Sequence, residues 1–477
     1  MSIIEQIEAA GEELTPTVRA ALEGLEATVA TLQATVATLQ ERIRELEARL
    51  GQNSTNSSLP PSSDGPGVVR REKKPRGKKR GGQPGHRGHH RQQVAPERVD
   101  AVVVHRPEAC GHCRHSLAGE GEAKRAWVQQ VTELPPVRAW VTEHQMQSIR
   151  CPQCGKLTRA ALPAEARHHF GPRMVAFASQ LVGRYRMSRR EAPNLLGQLL
   201  DLPPPSLGSM EAFTQEMSTA LLAAYQEVQT ALRGSVQAGV DETPWKLRGK
   251  KQWLWVATTQ AATLFHLGAS RGSDELRRFL GSAFRGILSS DRWCAYQSHE
   301  GLRQLCWAHL KRNFKKLALR GGEAARFAER GVRACRLVFK TFGRVQEEGF
   351  GREQLRSRMR PVQRYFRRLI ENGASSASKQ VARMCRNLLK LWRWLWTFVE
   401  KDVELTNNAA ERALRAAVLW RKGCFGNQSE SGMRYAERIL TIAATCRQQG
   451  IPLLDFLSRS IVALRSGTPA PKILPTH

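Results

Sequence analysis

At Ser235 the sequence changes from the period of helices to the period of strands, and this change most constrains what the chain can build. Upstream, Met174–Arg184, Ser188–Leu200 and Leu207–Arg233 read as helices, broken at Met187-Ser188 and at Pro203-Pro204-Pro205. Downstream, Val236–Val240 reads as a strand ending at Asp241 within GVDETPW. Gln252–Thr259 and Thr263–Gly268 read as a hairpin and Asp274–Leu280 as a helix. Gly286–Ser290 is a strand ending at Asp291 in LSSDRWCAY, Arg303–Trp307 a further strand, and a helix begins near His309. Strand, hairpin, helix, strand, strand is the start of a mixed sheet.

That order is the one found in ribonuclease-H-like sheets. There, a carboxylate on the first strand and one after the fourth lie on adjacent strands at one edge of a cleft. Asp241 and Asp291 occupy those two places. Glu242 is a neighbouring carboxylate, but strand alternation puts 241 and 242 on opposite faces. Asp291 also fits a cap on the turn at Arg292-Trp293. Gly322–Glu400 reads as a helical insert, after which Leu405–Gly432 (LTNNAAERALRAAVLWRKGCFGNQSESG) returns the chain to the sheet. Glu411 in this stretch has two readings. It completes a capping box with Asn408 and an ion pair with Arg415, or it is a third carboxylate for a metal. Arg434–Gln449 and Leu453–Leu464 read as closing helices.

Lysine and arginine number 74 against 43 acids, a net charge of +31, which calls for a polyanionic partner; nucleic acid leads because neutralising phosphate releases counterions. The charge is concentrated in Val68–Arg91, where Lys78, Lys79 and Arg80 stand among glycines with nothing apolar to form a core, so this arm is expected to be disordered away from phosphate. The N-terminus is acidic and lacks the basic start and apolar core of a signal peptide, and no run of ~18 apolar residues predicts a membrane span. Cys110-Gly-His-Cys113 and Cys151-Pro-Gln-Cys154 form two CxxC pairs, read as the knuckles of a four-cysteine zinc ribbon, with strands Trp127–Leu134 and Val137–Ile149 between them joined by Pro135-Pro136. His112 and His115 are possible substitute ligands. Such cysteine usage fits a reducing compartment, and a cytoplasmic location at DNA is expected. Leu25, Val29, Leu32, Val36, Leu39, Ile43 and Leu46 alternate three- and four-residue steps, with β-branched residues at a and leucine at d, which predicts a parallel two-stranded coiled coil.

Several short segments resemble one family: SSLPPSSD and GGQPGHRGHH, GVDETPW, SSDRWCAY, QLCWAHLKRNF, and TNNAAERALR followed by RKGCFGNQSESG. Together, and in this order over nearly the whole chain, they are similar to transposases of insertion-sequence family 66, whose chemistry uses an acidic triad. The resemblance implies that the triad is Asp241, Asp291 and Glu411, holding two Mg2+ (or Mn2+) ions for DNA cleavage and strand transfer, with Asp241 bridging, Asp291 on one ion and Glu411 on the other. Cys306 and His309 resemble a CxxH pair of related enzymes, whose histidine positions a strand or contacts DNA; a core cysteine and a helix-start histidine fit equally. Asn407 and Asn408 are expected to orient Glu411 or meet backbone phosphate, and Arg421 and Lys422 to grip DNA. The alternatives are a ribonuclease-H-like nuclease that cuts without joining, and an inactive zinc-containing DNA-binding regulator.

The expected fold class is multidomain α/β plus α, in eight segments. These are an N-terminal helix and leucine-zipper-like coiled coil (1–51), a linker and basic arm (52–95), a zinc ribbon (96–171) and a helix-turn-helix-like DNA-binding region (172–234). The first part of a ribonuclease-H-like catalytic domain (235–317) follows, then a helical insertion (318–400), the second part with closing helices (401–465) and a tail (466–477). Expected partners are the element ends and target DNA, a second copy or higher oligomer through the coiled coil, and accessory proteins of the same element.

Overall fold

The structure is a computed structural model that describes residues 3–11, 14–53, 56, 91–118, 125 and 127–475; Lys78, Lys79 and Arg80 lie outside the described residues. The chain forms two compact units, one of residues 69–141 with 199–202 and one of the remainder. In the smaller unit the amide of Gln130 clasps Val94, accepting from its N–H (2.7 Å) and donating to its carbonyl (3.0 Å). The expected hairpin of Trp127–Leu134 with Val137–Ile149 does not form. Pro135 and Pro136 offer no N–H to a ladder, and Trp127, Val131 and Trp140 stay 77%, 85% and 95% exposed.

The larger unit begins with α1 (Ile3–Ala9) and α2 (Pro16–Leu50). Thr15 caps α2 by accepting from the Val18 N–H, and Pro16 starts it. Every a and d residue from Leu25 to Leu46 on α2 is 44–61% exposed, so the apolar seam faces solvent. A short hairpin, β1 (Ser148–Arg150) with β2 (Leu157–Arg159), closes around the second cysteine pair. Then come α3 (Pro172–Gly183), α4 (Glu191–Leu200), α5 (Leu207–Ala220) and α6 (Leu222–Arg233). The helix expected over Leu207–Arg233 is interrupted at Leu221.

The central sheet has five strands: β3 (Gln237–Leu247), β4 (Lys250–Thr258), β5 (Thr263–Gly268), β6 (Ile287–Ser290) and β7 (Arg303–Leu305), in the order β5-β4-β3-β6-β7. β3, β4 and β5 are antiparallel neighbours, whereas β3, β6 and β7 run parallel. Helix α7 (Ser273–Leu280) makes the crossover from β5 to β6. β3 does not stop at Asp241; it continues to Leu247 and turns into β4 through Arg248 and Gly249, both left-handed (φ 50° and 75°), the geometry of a tight hairpin. Its pairing with β6 covers only Gln237–Gly239. Beyond that point no strand among the described residues pairs with the β6-facing side of β3 until Asn427 bridges it at Leu247, so Pro244 is tolerated in between.

After β7 come α8 (Trp307–Ala318) and the insertion, α9 (Gly322–Glu347), α10 (Arg352–Ala374), α11 (Lys379–Lys390), α12 (Trp392–Leu395) and α13 (Thr397–Glu400). Its core joins Phe314 of α8 to Phe327, Phe366 and Leu388, with the rings of Trp307 and Trp396 4.9 Å apart and inclined at 58°. Helix α14 (Asn408–Cys424) returns to β3, followed by α15 (Glu430–Gln449) and α16 (Leu453–Ser466). α3 packs on α5 and α16, so the helices before the sheet and those after it form one bundle.

Both sheet edges are closed. Along β5, Glu437, Thr441 and Thr445, four residues apart on α15, accept from the N–H groups of Leu267 (2.6 Å), Phe265 (3.0 Å) and Thr263 (3.2 Å). Along β7, Gln304 Oε1 accepts from the Phe398 N–H (2.8 Å) and the Thr397 hydroxyl donates to the Arg303 carbonyl. Among the described residues no helix is long and apolar enough to cross a membrane.

Candidate active site

Parallel pairing of β3 with β6 matches Gly239 to Ser289; two residues further along each chain stand Asp241 and Asp291. Asp291 directly follows the end of β6, and Asp241 lies within β3 just past the point where its pairing with β6 stops. Asp291 Oδ1 accepts from the Trp293 N–H (2.8 Å), so the turn-capping reading is realised. This leaves Oδ2 without that duty. Asp241 Oδ1 accepts from the Glu242 N–H (2.9 Å). Burial, followed by the charges of Glu242, Asp291 and Glu411, holds the Asp241 carboxyl well above its ordinary value. Three carboxylates are thus within electrostatic reach of Asp241, and their repulsion is what a cation would relieve.

Alternation separates Asp241 from Glu242, as the strand pattern requires. Glu242 is buried, bound by Arg271 at 2.5 Å and by the Tyr296 hydroxyl. Burial raises its pKa and Arg271 opposes that rise. Arg271 in turn stacks on Trp293 at 4.0 Å and Trp253 at 5.0 Å. Glu242 is therefore engaged structurally, which leaves Asp241 as the available carboxylate of the pair.

Glu411 lies on the first turn of α14. Neither the capping box nor the Arg415 pair describes its position. The N-cap is Asn407, whose side chain makes no cap, and the Glu411 carboxylate is held by Arg312 of α8, with Nη2–Oε1 2.9 Å and Nη1–Oε2 3.5 Å. The geometry favours Arg312 because its planar fork matches both oxygens. His309 Nδ1 lies 3.3 Å from Glu411 Oε1, and Cys306, His309 and Glu411 offer ligand atoms all within 4.8 Å of one another. Burial, and then Arg312, lower the His309 pKa, so its ring is neutral at pH 7. Burial raises the Cys306 thiol. The CxxH pair is thus an inward-facing one, at the junction of β7 and α8.

Of the two roles expected for Asn407, its surroundings fit holding the helix that bears Glu411 and not meeting phosphate. Asn407 is 3% exposed, its amide donates to the Val240 carbonyl (2.7 Å), and its backbone N–H reaches Cys306 Sγ (3.2 Å). It fastens the start of α14 to β3 one residue before Asp241 and has no surface for phosphate. A Cβ on Gly239 would lie 2.5 Å from Asn407 Oδ1, so the close approach requires glycine there. Asn408 is exposed at the helix start. Arg421 departs from expectation: its guanidinium folds back on β3, donating to Thr243 Oγ1 (3.1 Å) and to the Pro244 carbonyl. Lys422 is exposed at the end of the helix. Beyond it, Gly426 (φ 110°) lets the chain pass the Lys246 carbonyl, and Asn427 accepts from the Trp245 indole N–H (2.7 Å).

The two cysteine pairs sit in identical backbone turns. The Cys110 N–H donates to the His115 carbonyl (2.8 Å) and the Arg114 N–H to the Cys110 carbonyl (2.9 Å). The Cys151 N–H donates to the Lys156 carbonyl (2.8 Å) and the Gly155 N–H to the Cys151 carbonyl (2.9 Å). Arg114 and Gly155 are both left-handed, at φ 62° and 69°. Within each turn, backbone N–H groups aim at the first sulfur: those of Cys113 and His112 lower the Cys110 thiol, and those of Cys154 and Gln153 lower Cys151. Thiols held in this way are prepared for deprotonation by a soft metal.

Two side chains that hold carboxylates here, Arg312 and Arg271, stand apart from the residues that the sequence motifs mark. Arg312 was discoverable in principle, since it lies three residues after His309 on one helix. The Arg271–Glu242 pair, 29 residues apart, carried no local signal.

Comparison with known proteins points to one family. The family model described as transposase IS66 family matches residues 205–435, and the model for the zinc-finger binding domain of transposase IS66 matches residues 107–155. A family of unknown function matches residues 13–92. Among curated relatives, the uncharacterized protein y4qI of Sinorhizobium fredii is 27% identical over 248 residues, 47% of this chain and 46% of its own length. The uncharacterized protein y4hP of the same organism is 24% identical over 410 residues, 76% of this chain and 72% of its own length. The chain thus spans about half the length of the first of these relatives. The domains matched, in the order found, make the chain a member of the IS66 family of transposases.

Proposed function

We propose that the chain is a DNA-cleaving and strand-joining transposase, with a ribonuclease-H-like sheet carrying Asp241, Asp291 and Glu411 as its catalytic carboxylates. The observation that carries this reading is the β3–β6 register, which sets Asp241 and Asp291 on neighbouring strands just past the last paired residues, together with the charge of Glu411 felt at Asp241. The donor set fits a hard divalent cation, Mg2+ or Mn2+, because such ions prefer carboxylate oxygens and keep positions open for phosphate. When bound, the ion supplies charge neutralisation for the reacting phosphate and a lowered pKa for the attacking water or 3′-hydroxyl. Asp241 on β3 and Asp291 after β6 would hold it. Arg312 is a positioning residue that fixes the Glu411 carboxylate, and Asn407 fixes the helix that bears it.

The cysteines Cys110, Cys113, Cys151 and Cys154 are proposed as zinc ligands, on their spacing and on the matching turns that lower the leading thiol of each pair. The zinc stabilises the fold and does no chemistry. Purified protein should contain zinc and, with magnesium, cleave the element's own end. A supplied 3′-hydroxyl end should then be joined to target DNA. Cleavage without joining would establish the nuclease reading instead, and neither reaction would leave a DNA-binding protein.

The exposed seam of α2 is proposed to bury itself against a second copy, since valine and isoleucine at a with leucine at d favour two parallel strands. Light scattering should give twice the chain mass. Leu32→Lys with Leu39→Lys should return the mass of one chain, and a wild-type monomer would refute the pairing.

A further inference from the structure

Beside Asp291 the larger unit has a cleft of about 530 Å3 walled by α8 and α11. The two helices are amphipathic in opposite senses across it. α8 turns Leu310 and Phe314 toward the insertion core, while His309, Asn313 and Lys316, at three- and four-residue steps, run along the cleft with Leu317 at its inner edge and Arg320 just past the helix end. α11 buries Val381, Cys385 and Leu388 and presents Gln380, Arg383 and Asn387. The lining holds the cations Arg292, Lys316, Arg320 and Arg383 against one carboxylate, Asp291. Among the described residues, Lys316, Arg320 and Arg383 make no ion pair, in a protein where arginines elsewhere commonly do: Arg356, Arg358 and Arg367 of the neighbouring helix α10 are all paired. Unneutralised cations converging in a concavity mark a place for anions.

Two features select the kind of anion. The cleft is too small for a duplex but has room for a short run of one strand. Its rim also carries Trp293, 37% exposed, with Arg271 stacked at 4.0 Å. Cations that follow a backbone, with an aromatic ring for a base, are the features of a single-strand groove. The side-chain amides of Asn313, Gln380 and Asn387 add donors and acceptors suited to unpaired base edges.

We propose that this cleft binds an unpaired stretch of DNA strand running past Asp291, with Lys316, Arg320 and Arg383 on its phosphates and Trp293 under a base. The proposal deepens the transposase reading and rests on it for the meaning of Asp291. The helical insertion is then part of the DNA path, since α11 forms one wall of it.

Binding separates this proposal from the chemistry. Full-length protein is titrated in EDTA, by fluorescence anisotropy, against a blunt duplex and against the same duplex bearing a short unpaired tail. The triple variant Lys316→Ala, Arg320→Ala, Arg383→Ala is expected to bind the tailed DNA roughly tenfold more weakly. Its log–log salt slope should fall by about 2, as three single-strand phosphate contacts contribute ~0.7 each. Affinity for the blunt duplex should stay within about twofold. Trp293→Ala should weaken tailed binding with an unchanged salt slope, because stacking releases no counterion. Equal losses on both DNAs, or no loss on either, would overturn the assignment. Failure of the wild type to cleave with magnesium would count against the catalytic reading alone.

Discussion

Asp241→Asn is expected to abolish metal-dependent cleavage while making the protein more heat-stable at neutral pH. The loss of activity should be at least about 10^3-fold, the scale seen when one member of a concerted catalytic set is removed. The gain in stability follows from the electrostatics. The carboxyl of Asp241 has an ordinary value of 3.8 and is held well above it in the fold, first by burial and then by Glu242, Asp291 and Glu411. Folding therefore favours the protonated form. As pH rises through 3.8 the unfolded chain loses this proton while the folded one keeps it, so stability falls until the folded-state value is passed. Asparagine carries no charge to repel. The variant should match the wild type in acid, and its advantage should open above about pH 4 and then level off, with ~2–4 °C in Tm for each kcal/mol. Magnesium should raise the wild-type Tm and leave that of the variant nearly unchanged. Retained cleavage would remove Asp241 from the catalytic set. A lower Tm at pH 7 would show instead that its charge is already compensated.

Asn407→Ala is expected to destabilise the fold and to impair cleavage without weakening DNA binding. The side chain is 3% exposed and supplies the hydrogen bond from α14 to the Val240 carbonyl. Losing a buried bond of this kind, and leaving its acceptor unmet, costs about 1–3 kcal/mol. The start of α14 would also loosen from β3, and Glu411 with it, so cleavage should fall further than the loss of folded protein explains. Thermal denaturation, cleavage and anisotropy on one preparation distinguish the possibilities. A normal Tm with weakened DNA binding would return Asn407 to the DNA-contact role that its position in the motif suggested.

The sequence exposed the sheet because alternation is a local signal, and it set Asp291 after a strand correctly, whereas the strand it ended at Asp241 runs on to Leu247. It also separated Asp241 from Glu242 by parity alone. What it missed depends on contacts between distant segments. The continuation of β3 to Leu247 was hidden by Pro244, which ordinarily argues against a strand and is accommodated here where β6 no longer pairs. Glu411 has a favourable partner four residues on in its own helix, yet it binds Arg312, 99 residues earlier. No pattern within the motif could reveal that choice. Asn407 and Arg421 illustrate the same limit. Polar residues in a basic, motif-rich segment suggested DNA, whereas burial commits one to Val240 and turns the other onto β3. The strands expected at Trp127–Leu134 and Val137–Ile149 had the right alternation, but alternation alone cannot supply a surface to pack against.

The closure of the sheet has a consequence for assembly. Backbone groups at the margins of a sheet are where another chain's strand adds. Here the β5 margin is occupied by Glu437, Thr441 and Thr445, and the β7 margin by the segment through Thr397 and Phe398. A neighbouring copy cannot extend the sheet at these positions without first peeling away a helix. Crowding therefore need not seed strand-to-strand aggregation through these margins.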